Sequence, residues 1–79
     1  MNYVKWVVPL EGRRLFLELG STSNLVVDLS IKLDTMKYME LQNEELFFDV
    51  KLEDDYVVWG DGRIKVTIQE LIDVAVFGE

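Results

Sequence analysis

Tyr56-Val57-Val58-Trp59-Gly60-Asp61-Gly62-Arg63-Ile64-Lys65-Val66 runs straight into Thr67-Ile68-Gln69-Glu70-Leu71-Ile72-Asp73-Val74-Ala75-Val76-Phe77-Gly78, and along it the apolar period changes from two to 3.6. The spacing predicts short strands at 56–59 and 63–66, joined by Gly60-Asp61-Gly62, a good hairpin signal. Thr67 and Glu70 are spaced as a capping box, in which hydroxyl and carboxylate each satisfy an orphan backbone donor. Ile68, Leu71, Ile72, Ala75 and Val76 then form one apolar stripe, and Gly78 ends the helix. A hairpin feeding a helix commits the chain to mixed α and β structure.

Upstream, Val50–Leu52 reads as another short strand, turned by Glu53-Asp54-Asp55. Asn43 can cap a helical turn carrying Leu46, Phe47 and Val50, with Glu44 and Glu45 at its positive end. Ser30 can cap another, carrying Leu33, Met36 and Met39. The first third alternates with a period of two. Val4, Trp6, Val8 and Leu10 alternate with Tyr3, Lys5 and Val7; Leu15, Leu17 and Leu19 with Arg14, Phe16 and Glu18; Leu25, Val27 and Leu29 with Val26 and Asp28. These three strands read as a meander. The expected fold is α+β: a small antiparallel sheet (β-meander, short helices, further strands, C-terminal helix) with helices packed on one face, in a single domain over 1–79.

The chain has 79 residues, and 49% of them are apolar, including nine aromatics, which argues against disorder. A domain of this length buries roughly 60–65% of its unfolded surface, for a net stability of ~3–5 kcal/mol. Without cysteine there is neither a disulfide nor a thiolate metal site, so tight packing or a borrowed surface must compensate. No apolar run is long enough to span a bilayer. The Trp6–Leu10 run is short and meets Glu11 at once, unlike a signal peptide, so a cytoplasmic location is expected.

The formal charge of −7 is concentrated: residues 1–39 balance at +1, 40–61 at −7 and 62–79 at −1. A phosphate backbone would be repelled by the middle stretch, so direct nucleic-acid binding is disfavoured. That stretch, with Glu53, Asp54 and Asp55 at its turn, either meets a basic partner or is a solvated face that maintains solubility. Tyr3, Val7, Phe16 and Val26 lie opposite the core series of their strands. With helices on one side only, these four form an apolar patch for a partner or a second copy; the terminal helix or a curled sheet covering them is the other reading.

Catalytic options are few. Without histidine and cysteine the usual nucleophile–base pairs and the commonest zinc spheres are missing, and the scattered glycines build no phosphate loop. Glu53, Asp54, Asp55 and Asp61 could meet to bind Ca²⁺ or Mg²⁺, but they lack the alternation of an EF-hand loop. Asp28 with Asp49-Val50-Lys51 has the order of some metal-dependent nucleases, a pattern that arises by chance in any charged chain. Trp6 and Trp59 could stack on a sugar or base, but within strand patterns burial is the expected use. Arg13-Arg14 either touches an acidic partner or decorates a hairpin. No catalytic residue, cofactor or metal ligand is assigned.

Val4-Lys5-Trp6-Val7-Val8-Pro9-Leu10, Leu15-Phe16-Leu17, Val27-Asp28-Leu29, Leu41 with Asn43 and Phe47, Val50, and Val58-Trp59 with Gly62 occur in an order and spacing that resemble a short bacterial family, domain of unknown function 2442. The similarity covers most of the chain up to about Ile64, and Asp28 is its best polar match, a carboxylate at the strand-to-helix junction that could cap the helix that follows. The chain departs from it in a longer interval between Gly20 and Asp28, and in Ile64, where many members carry an acidic residue. The resemblance implies a small α+β domain without known catalysis. It also implies a partner of a small neighbouring protein, as in toxin–antitoxin-like gene pairs, here without the helix-turn-helix that some members add. The expected function is a non-catalytic interaction module, with an antitoxin-like or regulatory role beside a small neighbouring protein; the alternatives are a self-associating homodimer and, last, a carboxylate-only metal-dependent enzyme.

Overall fold

The protein is described by a computed structural model covering residues 4–20 and 23–78. Strands β1 (Val4–Leu10), β2 (Arg14–Leu19) and β3 (Asn24–Asp28) form one antiparallel meander. Two 3₁₀ turns, Leu29–Lys32 and Met39–Gln42, lead to the short helix α1 (Glu44–Phe48). Strands β4 (Val50–Glu53), β5 (Tyr56–Trp59) and β6 (Ile64–Thr67) form a second antiparallel meander, and α2 (Ile68–Phe77) follows at once. The α+β class and order of elements are those expected from the sequence, but the strands divide into two three-stranded sheets. Helix α2 lies against β3, and β1 lies beside β4.

Both sheets and α2 share one core. Leu15, Leu17 and Val27 of the first sheet pack in a single cluster with Val57, Trp59 and Val66 of the second and with Leu71 and Val74 of α2. The radius of gyration, 11.5 Å, matches the roughly 11.6 Å expected of one compact 79-residue domain. Trp59 is fully buried, and its indole donates to the Phe47 carbonyl at 3.0 Å, so the ring is buried without an orphaned N–H. The Phe47 ring stacks against it at 6.4 Å between centroids.

Local chemistry sets the ends of the helices. Asn43 accepts from the Leu46 amide at the start of α1. Thr67 and Glu70 form the reciprocal capping box of α2, and Gly78 closes it at a φ of 74°. The first 3₁₀ turn is capped by Asp28, not Ser30: the carboxylate accepts from the Ser30 amide and hydroxyl at 3.0 and 2.5 Å. On α2 the buried stripe includes Val74, while Val76 is exposed, because the face is set by what β3 offers and not by the helix alone.

The alternation of β1 misleads. A bulge between Val4 and Trp6 changes the register, so Val4 lies opposite Leu19 while Trp6 lies opposite Glu18. One extra residue reverses the parity of everything after it. Val4 and Val7 therefore pack on the core, and Trp6 and Val8 face outward with 59% and 42% of their surface exposed. The expectation that Trp6 is buried and Val7 outward-facing is corrected accordingly.

Arg13 holds the two halves together. It occupies the β1–β2 turn at a φ of 59°, and its guanidinium donates to the Leu41 carbonyl at 2.9 Å and to the Gln42 carbonyl at 2.8 Å. These are orphan acceptors at the end of the second 3₁₀ turn, and a planar fork is suited to bridging two of them. The same group sits 5.8 Å from the centre of the Phe47 ring. Gly60, at a φ of 60°, lies so close to Leu46 that a Cβ there would come within 2.7 Å of its Cδ1.

Candidate interaction surface

The outward face of the first sheet carries three cross-strand rows. The central row is apolar throughout, Val8–Phe16–Val26, with Trp6 diagonal to it. On one side lies Trp6–Glu18–Asn24, and on the other Leu10–Arg14–Asp28. Val26 is 48% exposed, and Phe16 is half-buried. The expected patch of Tyr3, Val7, Phe16 and Val26 is thus only partly brought together. Phe16 and Val26 are neighbours on it, Val7 is on the opposite side of the sheet, and Tyr3 lies outside the described residues. Trp6 and Val8 take their place. Nothing in the alternation of β1 reveals this, because Trp6, Val7 and Val8 are all apolar and a one-residue bulge leaves no compositional trace.

The acidic stretch resolves into two groups. Glu40 pairs with Arg63 at 2.9 Å, Glu44 with Arg13 at 3.5 Å and Asp61 with Lys51 at 3.1 Å. The Asp61 hydrogen bond raises the Lys51 ammonium above its ordinary value. Glu45, Asp49, Glu53, Asp54 and Asp55 form no ion pair among the described residues, and all are exposed. Glu53, Asp54 and Asp55 share the β4–β5 hairpin end, with Asp54 at a φ of 54°. The Asp55 carbonyl accepts from the Ile68 amide at 3.3 Å, tying that end to the start of α2.

No group of three or more Asp or Glu side chains placed to hold a metal occurs among the described residues. Asp28 is engaged as a cap and Lys51 with Asp61, so the nuclease-like order in the sequence does not become a cluster. The other coupled group is Lys37–Glu70–Tyr38. A hydrogen bond from Lys37 is the main reason that the Glu70 carboxyl lies below its usual range, although burial opposes it. Burial, helped by the Glu70 charge, pushes the Tyr38 phenol above its ordinary value. This group ties the 29–42 segment to α2 and offers no open site. Arg13, read from sequence as hairpin decoration, is likewise structural.

No helix among the described residues is long and apolar enough to cross a membrane. No known family's sequence profile matches the chain, and no curated protein and no solved structure matches it.

Proposed function

We propose that this protein is a non-catalytic, cytoplasmic interaction module that acts by protein–protein contact. The observation that carries the reading is the outward face of the first sheet, where Trp6, Val8, Phe16 and Val26 form an apolar surface on a three-stranded meander. A second surface supports it: five carboxylates between Glu45 and Asp55 that form no ion pair among the described residues suit a small basic protein. A regulatory or antitoxin-like role beside such a partner, in the manner of the domain of unknown function 2442 family, is part of this proposal. The half-buried Glu70 carboxylate is committed to the cap of α2 and to Lys37, which supports contact over turnover.

The test is capture of a basic protein by the tagged chain at low and at high salt, repeated with Glu53→Gln/Asp54→Asn/Asp55→Asn. Capture that weakens with salt and with the triple variant supports the electrostatic contact. Capture indifferent to both, or none at all, overturns the electrostatic contact; turnover of a substrate abolished by changing one carboxylate overturns the reading.

A further inference from the structure

We infer that the outward face of the first sheet closes a two-fold dimer: its occupant is a second copy of this chain, with the two β2 strands antiparallel across the contact. The inference rests on the reading of that face as a contact surface and names what covers it.

The argument comes from the order of side chains across the face. The apolar row Val8–Phe16–Val26 has Glu18 on one side of Phe16 and Arg14 on the other, along the same strand. A two-fold axis lying along that row places each apolar residue over its own counterpart. It also places Arg14 over Glu18 of the second copy, and Glu18 over Arg14 of the second copy, so two opposite-charge contacts form by symmetry. The exposed Trp6 falls over Leu10 of the second copy, apolar on apolar. Face-to-face sheets pack with strands within about 30° of alignment, a rotation that these long side chains can follow.

The other in-plane axis, along β2, fails the same examination. It sets Arg14 over Arg14 and Glu18 over Glu18, two like-charge contacts in place of two attractive ones. The charges are available for the first arrangement. Among the described residues neither Arg14 nor Glu18 takes part in an ion pair, and Arg14 only donates to the Glu11 carbonyl at 3.1 Å. None of the eight acidic residues of the 40–61 stretch lies on these strands, so the excess negative charge is carried elsewhere and leaves this face nearly balanced.

Size sets the strength. Three strands ~4.8 Å apart and five residues long at ~3.4 Å each cover roughly 14 by 17 Å. That is well short of the ~800 Å² per partner of a standard interface, so the dimer is a weak one that forms and separates with concentration.

Sedimentation equilibrium of the whole chain tests this. The average mass should rise from 9.2 kDa towards twice that value as concentration increases, on a scale of about 5 μM to 1 mM. Arg14→Glu and Glu18→Arg should each weaken dimerisation at least ~10-fold, since each creates two like-charge contacts, and the double exchange should restore it to within ~3-fold. Val26→Asp, with an unchanged circular dichroism spectrum, should remain a monomer. A wild-type monomer at the highest concentration overturns the inference, as does a Val26→Asp dimer, and a double exchange as weak as the single variants overturns its register. Salt-dependent capture by the acidic stretch is read separately: a monomer that still captures refutes the dimer alone, and a dimer that captures nothing refutes only the electrostatic reading.

Discussion

Arg13→Ala removes the one side chain that, among the described residues, reaches from the first hairpin to the end of the second 3₁₀ turn. Its cost can be built from the contacts. Two charge-assisted hydrogen bonds to the Leu41 and Gln42 carbonyls, at 2.9 and 2.8 Å, contribute about 1–1.5 kcal/mol each. The cation–π contact with Phe47 at 5.8 Å adds about 0.5 kcal/mol. The pair with Glu44 is long and mostly exposed, 3.5 Å, and is worth close to nothing. The left-handed backbone is equally strained in arginine and alanine and cancels. The sum is about 3 kcal/mol, or a fall in Tm of roughly 12–24 °C for a domain of this size. Urea unfolding at constant m-value is the assay. Arg13→Lys, with a charge but no fork, should fall about halfway, and it carries the comparison if the alanine variant does not fold. Glu44→Gln should stay within about 0.5 kcal/mol of the wild type. An alanine variant as stable as Glu44→Gln would refute the claim that the guanidinium joins the two halves.

Two further perturbations separate local from tertiary causes. Gly60→Ala meets both a positive φ and a 2.7 Å approach to Leu46, whereas Gly62→Ala meets only the positive φ. Leu46 Cδ1 is the movable end of a flexible side chain and can give way, so each should cost about 1–2 kcal/mol for its positive φ in the same unfolding assay, and a Gly60→Ala cost well above that of Gly62→Ala would show that Leu46 is held in place. Glu70 has a folded-state pKa below its unfolded one, so the stability it contributes is present above the ordinary carboxylate range and is lost as pH falls through the lowered value. Melting temperature followed from neutral pH to about pH 3 should show this loss in the wild type. The loss should be smaller in Glu70→Gln; identical acid limbs in the two proteins would show that the Lys37 contact is not formed in solution.

The candidate surface was half legible. Phe16 and Val26 were found because β2 and β3 alternate cleanly and pair without interruption. Alternation alone places Trp6 and Val8 in the core, because it carries parity only as far as the next bulge, and the bulge after Val4 depends on how β1 meets β2. Arg13 was misread for a related reason. Its acceptors lie 28 and 29 residues away, and no local pattern announces a partner at that distance.

The sequence by itself determined what depends on near neighbours. The period of each strand, the Asn43 and Thr67–Glu70 caps, the turn at Gly60-Asp61-Gly62 and the Gly78 stop follow from backbone groups and side chains within a few residues of each other. Tertiary structure decided that six strands form two sheets and not one, that α2 buries Val74 and exposes Val76, and that Trp59 becomes core while Trp6 becomes surface. Each of these is a choice between faces or edges of equal local merit. The choice is made by which arrangement removes more apolar area from water while leaving no buried polar group unpaired, and that quantity exists only once distant segments are in contact.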